Sequence, residues 1–156
     1  MRIAVSGSHS TGKSTLIAAF LAKCPGYLHE PEAFESLADD VELTSSEGPT
    51  AEGLQALLEH TISSLALHPP GTLVVFERSP VDYLAYAAAS RPSWPTGVPS
   101  RPGESAGFRR RVAAALQRAL LDDDYDLFGD PESPRVIELP PSPERQLAEL
   151  IRLTSD

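Results

Sequence analysis

The sequence predicts an α/β fold in which helices cover both faces of a mostly parallel sheet, a three-layer α/β/α arrangement. Short apolar runs alternate along the chain with longer segments whose apolar residues recur at helical spacing. The strongest apolar run, TLVVFE at 72–77, is continuous and rich in branched residues, which is typical of a strand buried on both faces of a parallel sheet. Strands that alternate with helices favour parallel pairing through right-handed crossover connections.

The first half of the chain begins with a short strand and the helix that follows it. Residues 3–5 (IAV) predict a buried strand, and apolar residues at helical spacing from Lys13 predict a helix that the PG pair at 25–26 ends. YLHE at 27–30 predicts a second short strand. The segment 51–67 predicts a longer amphipathic helix, because one helical face carries Leu54, Leu57, Leu58, Ile62 and Leu65.

The second half continues the alternation after the strand at 72–77. Residues 79–90 predict a helix with proline in its first turn, and residues 108–121 predict another helix from apolar residues four positions apart. RVIEL at 135–139 predicts a strand. Residues 142–153 predict a closing helix with a serine N-cap and a glutamate in the first turn.

The length of the chain favours one domain. A chain of 156 residues is long enough to bury one hydrophobic core, so we expect a single domain over 1–156. The proline-rich segment at about 91–105 fits no regular element and is interpreted as an irregular loop within that domain. No apolar run approaches the roughly 20 residues that a membrane helix needs, so we expect no membrane partner.

The net charge and the cysteine content indicate which binding partners and which cellular location to expect. The net charge of −9 disfavours polymeric nucleic acid, whose phosphates would be repelled, but is compatible with a small anion in a local pocket. Cys24 is the one cysteine and cannot form an internal disulfide, and the N-terminus lacks the pattern of a secretory signal. We therefore expect a cytoplasmic protein, and the sequence leaves its oligomeric state open.

Residues 7–14, GSHSTGKS, match the complete P-loop (Walker A) pattern G-x-x-x-x-G-K-[ST]. Glycines in such a loop let backbone N–H groups point inward around a phosphate, and the next helix adds its unpaired N-terminal N–H groups. Lys13 would bring positive charge to the β- and γ-phosphates of a nucleoside triphosphate, and the Ser14 hydroxyl could ligate Mg²⁺. The predicted nucleotide-binding residues are Gly7, Ser8, His9, Ser10, Thr11, Gly12, Lys13, Ser14 and Thr15, and the motif leaves ATP and GTP open.

Glu77 and Arg78 directly follow the strongest predicted strand. In an open parallel sheet, ligands bind at the carboxyl ends of the strands. A carboxylate at this position is suited to hold Mg²⁺ directly or through water, so Ser14 and Glu77 are the predicted metal ligands. Arg78 could grip an anionic or hydroxylated substrate through two hydrogen bonds. The alternative is an ordinary ion pair on the surface at the end of a strand.

Glu30 follows the second predicted strand within the acidic segment HEPEAFE. It would project from the carboxyl edge of the sheet near the γ-phosphate, where a general base could accept the proton of a hydroxyl group. Glu32 and Glu35 are rivals for this role. A solvated acidic loop without a catalytic role is an equally good interpretation of the segment.

Three motifs, taken in order and at their distances, resemble the P-loop kinases of nucleosides and related small molecules: GSHSTGKS, HEPE and FERSPVDYLAY. These kinases include the deoxynucleoside kinases and the nicotinamide riboside kinase-like group of AAA family ATPases, and the resemblance covers about residues 1–90. It implies the P-loop NTPase fold, ATP and Mg²⁺ as cofactors, and a small hydroxylated phosphate acceptor. It also implies that Glu30 is the base toward that acceptor, and that Glu77 and Arg78 position metal and substrate.

The chain departs from these kinases between Tyr86 and Phe108, where they have a further hydrophobic strand and an arginine-bearing lid. No strand pattern occurs there, so we expect one core strand to be missing and the lid to be reduced to Arg101 or Arg109–Arg111. Because a lid excludes water and stabilises charge, its reduction bears on phosphoryl transfer rather than on nucleotide binding. The sequence thus leaves three interpretations: a kinase, a nucleotide-binding regulatory protein, and a slow ATPase.

Overall fold

The structure is a computed structural model that describes residues 1–8, 10–37, 44–45, 48–90, 113–117 and 134–155. Within these residues the strands are β1 (Arg2–Val5), β2 (Leu28–Glu30), β3 (Thr44–Ser45), β4 (Gly48–Pro49) and β5 (Val74–Glu77). The helices are α1 (Lys13–Lys23), α2 (Ala33–Leu37), α3 (Ala51–Leu67), α4 (Pro80–Ser90) and α5 (Pro143–Thr154). Residues 113–117 are also helical.

The main sheet has the strand order β1–β5–β2, and both pairings are parallel. β5 takes the centre because all four of its residues are buried, as its continuous apolar run predicts. Val5 pairs with Glu77, and Glu30 pairs with Phe76, so the three strands end at the same edge. β3 and β4 form a separate antiparallel pair of two residues each.

Helices cover both faces of this sheet. On one face, Val75 of β5 packs in a buried cluster with Phe20 of α1 and Leu150 of α5. Successive strand residues point to opposite faces, and on the other face the ring of Phe76 meets the ring of His68, at the end of α3, edge to face. α3 and α4 pack on each other through a second apolar cluster. The predicted α/β class with helices on both faces is confirmed.

The starts of α3 and α5 differ in how the side chain at the N-cap position is hydrogen-bonded. The Thr50 hydroxyl accepts a hydrogen bond from the Gly53 N–H at 2.8 Å and so caps α3. Ser142 occupies the predicted N-cap position of α5, but its hydroxyl instead donates to a carboxylate oxygen of Glu144 at 2.7 Å. The serine therefore marks where α5 begins without capping its backbone.

One predicted element is wrong: residues 135–139 form no strand, since 134–140 have no regular secondary structure. Prolines flank the segment on both sides and remove backbone donors that a strand would need. Its apolar pattern reflects a different contact, because Leu139 packs on the cluster of Val5 and Leu16. The segment thus partly buries Leu139 without joining the sheet.

Several predictions concern parts of the chain outside the described residues. These are the proline-rich loop at 91–105, most of the helix at 108–121, the missing strand and the reduced lid with its arginines, and the contribution of His9 to the phosphate loop. Among the residues that the structure does describe, no helix has the length and apolarity to cross a membrane.

Candidate functional site

The loop between β1 and α1 takes a backbone path that suits glycine at Gly12. Gly12 immediately precedes α1 and has φ 85° and ψ 16°, in the left-handed region that residues with a Cβ rarely adopt. Ser10 also has a positive φ of 61°. At Gly7, an added Cβ would come within 3.0 Å of the Thr11 hydroxyl oxygen. These features curve the chain tightly into the start of α1, as the glycine spacing predicts.

Lys13 is the first residue of α1, and its largely buried side chain reaches back into this loop. Its Nζ donates a hydrogen bond to the carbonyl oxygen of Ser8 at 2.9 Å, and the Thr11 hydroxyl donates to the same oxygen at 2.9 Å. Burial lowers the pKa of Lys13, and the nearby charge of Arg78 lowers it further. The ammonium group is therefore poorly solvated, so a bound phosphate would provide it with a charged acceptor.

Ser14 and Glu77 meet between the start of α1 and the end of β5. The Ser14 hydroxyl donates to Oε1 of Glu77 at 2.6 Å, although the two residues are 63 positions apart. A hydroxyl and a carboxylate are hard oxygen ligands, which fit Mg²⁺. Across the described ranges, no group of three or more His, Cys, Asp or Glu residues could hold a metal. The Ser14 hydroxyl and the Glu77 carboxylate alone are a donor set that suits a Mg²⁺ ion with its other ligands supplied by phosphate and water.

Arg78 is 2% exposed and connects the loop to the segment after β2. Its Nε donates to Oε1 of Glu32 at 2.5 Å, and its Nη1 donates to the carbonyl oxygen of Gly7 at 2.9 Å. Its guanidinium carbon lies 5.0 Å from the centre of the Tyr86 ring. The φ of 79° at Arg78 is rare for a residue with a Cβ, and such backbone strain occurs preferentially at functional sites.

Asp82, in the first turn of α4, is a residue of this site that the sequence interpretation missed. It is 0% exposed, and its Oδ1 accepts from the Gly7 N–H at 3.1 Å. Its Oδ2 accepts from the Ser6 hydroxyl at 2.7 Å and from both the N–H and the hydroxyl of Ser79 at 2.8 Å. The signal that could have found it is the capping-box pattern from Ser79 to Asp82.

Two cavities lie side by side at the carboxyl edge of the sheet. The larger, of about 270 Å³, is lined by Ser10, Thr11, Gly12, Lys13, Ser14, Glu32, Glu77 and Arg78. The smaller, of about 10 Å³, is lined by Glu30, Pro31, Ala33, His60, Thr61, Ser64, Phe76, Glu77 and Arg78. Glu77 and Arg78 form the wall that the two cavities share.

Glu30 faces α3 rather than the phosphate loop. Its Oε2 accepts from the Ser64 hydroxyl at 2.8 Å, and its Oε1 lies 2.7 Å from Nε2 of His68. Burial raises the pKa of Glu30, but the hydrogen bonds from His68 and Ser64 outweigh this and lower it overall. Glu30 is therefore ionised at neutral pH.

Among the three candidate acids, the structure brings Glu32 closest to the loop. Glu32 lines the larger cavity, Glu30 lines the smaller one, and Glu35 is exposed on α2. Thr15 is exposed on α1 and does not line the larger cavity. Lys13, Ser14, Glu77 and Arg78 are brought together as the sequence predicts. The role of Glu30 as general base stays a prediction.

The site combines three features that define a P-loop nucleotide-binding protein. These are a parallel strand, a glycine-containing loop that encloses a lysine side chain, and a helix whose first serine hydrogen-bonds to a carboxylate. A family model described as an AAA domain matches residues 2–128, and the chain belongs to this family. A comparison with curated proteins found no significant match.

Proposed function

We propose that this chain is a single-domain, Mg²⁺-dependent P-loop kinase of the cytoplasm that transfers the γ-phosphate of ATP to a small hydroxylated metabolite such as a nucleoside. The observation that carries the proposal is the shared wall of the two cavities. Glu77 and Arg78 face both the phosphate loop and a polar cavity beside it. A kinase needs this adjacency, because donor phosphate and acceptor hydroxyl must be in contact.

On the nucleotide side, the residues would bind and orient the phosphates of ATP. The Lys13 ammonium would exchange its bond to the Ser8 carbonyl for phosphate oxygens. The Ser14 hydroxyl and the Glu77 carboxylate would hold Mg²⁺, directly or through water. When bound, the metal neutralises phosphate charge and orients the phosphates. Since phosphoryl transfer depends chiefly on positioning and charge neutralisation, these groups meet much of its need.

On the acceptor side, we propose Glu30 as the base and Arg78 as the orienting group. Glu30 is ionised and lines the smaller cavity, so it is able to accept the proton of a hydroxyl group. Arg78 uses Nε and Nη1 for Glu32 and Gly7, and a guanidinium carries five N–H donors in all. Glu32 is the rival base because it lines the cavity of the phosphate loop.

A second candidate function, a nucleotide-binding regulator or slow ATPase, is favoured by the size of the acceptor cavity. About 10 Å³ is the space of roughly one water molecule and is too small for a nucleoside without movement of its walls. Under this alternative the phosphate loop would bind nucleotide as proposed, and no acceptor would be needed.

An acceptor screen separates the two candidates. Purified protein is incubated with ATP and Mg²⁺, with and without each of a panel of nucleosides and pyridine ribosides, and ADP is measured. The kinase proposal expects one class of acceptor to raise ADP formation and a phosphorylated acceptor to accumulate, with Lys13→Ala giving only background. ADP formation that no acceptor increases would contradict the kinase and favour the ATPase.

A further inference from the structure

The first turn of the phosphate loop is attached to the start of α4 by a buried carboxylate. Ser6 and Gly7 leave β1, while Ser79 and Asp82 follow β5, and the side chain of Asp82 bonds to all three of the others. The Ser6 and Ser79 hydroxyls also lie 3.0 Å apart. These contacts join two segments that are more than 70 positions apart in the chain.

Both backbone polar groups of Gly7 are used in this attachment. Its N–H donates to Oδ1 of Asp82, and its carbonyl oxygen accepts from Nη1 of Arg78. Nη1 of Arg78 and Oδ1 of Asp82 themselves lie 3.6 Å apart. The first peptide groups of the loop are therefore fixed from both sides by contacts within the protein itself. Such preorganisation lowers the ordering cost of ligand binding.

The hydrogen-bond pattern requires a carboxylate and not merely a polar side chain of the same shape. Oδ1 accepts from the backbone N–H of Gly7, and Oδ2 accepts from the backbone N–H of Ser79. An asparagine has one oxygen and one NH₂ group, so in either orientation its NH₂ would face a backbone N–H. A serine hydroxyl could turn to accept from that NH₂, whereas a backbone N–H cannot. Because the Asp82 side chain is 0% exposed, the mismatch would leave a buried polar group unsatisfied.

The same network connects the loop to Glu77. Ser79 is two residues beyond Glu77, and the N–H of Arg78 extends the β1–β5 pairing by donating to the Val5 carbonyl at 3.2 Å. The position of Asp82 therefore sets where Gly7 lies relative to the Glu77 carboxylate. This relation decides whether phosphate in the loop and metal at Ser14 and Glu77 are held together.

We propose that Asp82 is a positioning residue that presets the phosphate loop and keeps it in register with Glu77, so that nucleotide and Mg²⁺ bind cooperatively. The inference rests on the nucleotide- and metal-binding part of the proposed function and needs no phosphate acceptor. Its signature is the ratio of nucleotide affinity with Mg²⁺ to that without Mg²⁺. A merely structural residue would change stability and leave that ratio unaltered.

The test compares Asp82→Asn with Leu57→Ala by calorimetric titration of a non-hydrolysable ATP analogue, with Mg²⁺ and with EDTA, well below each melting temperature. Leu57 is a buried residue of the cluster with Ala33 and Tyr83 and lines neither cavity, so its truncation controls for lost packing. We expect Asp82→Asn to lose about tenfold or more in affinity with Mg²⁺ and most of the Mg²⁺ effect. Leu57→Ala should melt earlier with both affinities retained.

Wild-type affinity and an unchanged Mg²⁺ ratio in folded Asp82→Asn would overturn the inference, as would an equal loss in Leu57→Ala. If Asp82→Asn does not fold, Ser6→Ala replaces it, because this change removes one donor to Oδ2. Loss of one hydrogen bond should weaken nucleotide binding in the presence of Mg²⁺ about two- to fivefold. A loss of this size would then support the inference, and an unchanged affinity would overturn it. If the wild-type protein binds no nucleotide, the proposed function fails together with the inference. If the wild type binds nucleotide and only the variants behave otherwise than expected, the inference alone fails.

Discussion

The phosphate loop and the edge at β2 are built differently, although they share one end of the sheet. Around the loop, Lys13, Glu77, Arg78 and Asp82 are all buried, and each hydrogen-bonds to a residue of the loop or of the start of α1. At the other edge, β2 has only three residues and none of them is buried. The phosphate loop is therefore a fixed arrangement, while the edge that we propose for the acceptor is held by fewer and more exposed contacts.

The pairing of Glu30 illustrates the consequence. Its carboxylate holds β2 against α3 through Ser64, within α3, and His68, which directly follows α3. Contacts of this kind are partly solvated and titratable, so they break at low cost. We infer that movement of β2 relative to α3 is the simplest way to enlarge the small acceptor cavity.

The largest expected effect is on the rate at which the acceptor is phosphorylated. If the acceptor side holds the base, Glu30→Gln should lower acceptor-dependent turnover by about 10²- to 10⁴-fold, with nucleotide affinity unchanged. The measurement is kcat for phosphorylation of the acceptor found in the screen, beside the affinity for ATP. Glu32→Gln is the matched comparison. A large loss in Glu32→Gln with full activity in Glu30→Gln would transfer the role of base to the nucleotide side.

The next largest effect concerns the metal. Glu77→Gln keeps the shape of the side chain but removes the charge that faces Ser14, so we expect about a tenfold loss of Mg²⁺-dependent nucleotide affinity. Affinity in EDTA should change much less. Glu35→Gln, on the exposed face of α2, is the control and should bind as the wild type does. Equal Mg²⁺ dependence in all three proteins would contradict the metal assignment.

A smaller effect separates strain from function in the loop. Gly12 and Gly71 both have positive φ, 85° and 97°, and an added Cβ would meet nothing within 4 Å at either. Alanine at each should therefore lower the free energy of unfolding by about 1 kcal/mol through backbone strain alone. Denaturant titration measures this. Nucleotide affinity should fall only in Gly12→Ala, and an equal fall in Gly71→Ala would show that the loop is not the binding site.

The smallest effect is the pH dependence of the β2 edge. Because the pKa of Glu30 is lowered in the folded state, its contribution to stability is present above its unfolded pKa and is lost as the pH falls through the folded value. The groups that face Glu30 are Ser64 and His60 of α3 and His68, which directly follows α3. The contribution at neutral pH should be below about 1 kcal/mol, since the side chain is partly exposed.

Denaturant titrations of wild type and Glu30→Gln between neutral and acidic pH measure this contribution. The wild type should be the more stable protein at neutral pH, and the difference should shrink toward acid. A difference that grows as the pH falls would have the wrong sign for a lowered pKa and would show that the bonds to Ser64 and His68 do not form in solution.

Local patterns sufficed to predict most elements and the core of the site. The spacing of Gly7, Gly12 and Lys13 encodes a loop whose shape depends on a few backbone angles, and those lie in the same short segment. The apolar run at 72–77 likewise carries its own burial signal. Glu77 and Arg78 follow directly, because parallel strands end at one edge.

The remaining features depend on contacts between distant segments. Residues 135–139 have a strand pattern, but whether a segment pairs is decided by its flanking prolines and by what lies beside it. The role of Asp82 exists only once β1 and α4 are adjacent, and its own sequence context indicates no more than a helix cap. The choice between Glu30 and Glu32 depends on which way each side chain points at a strand end, which periodicity does not fix beyond the last paired residue.

The most direct test of the central claim uses the two lysines of the chain. Lys13 begins α1 and its side chain reaches into the loop, whereas Lys23 is exposed at the far end of the same helix. Lys23→Ala therefore removes an equal charge from the same element. Titration with ATP and Mg²⁺ should give about a hundredfold weaker binding in Lys13→Ala and wild-type binding in Lys23→Ala. Equal affinities in the two variants, or no binding by the wild type, would contradict the assignment of this loop as the nucleotide site.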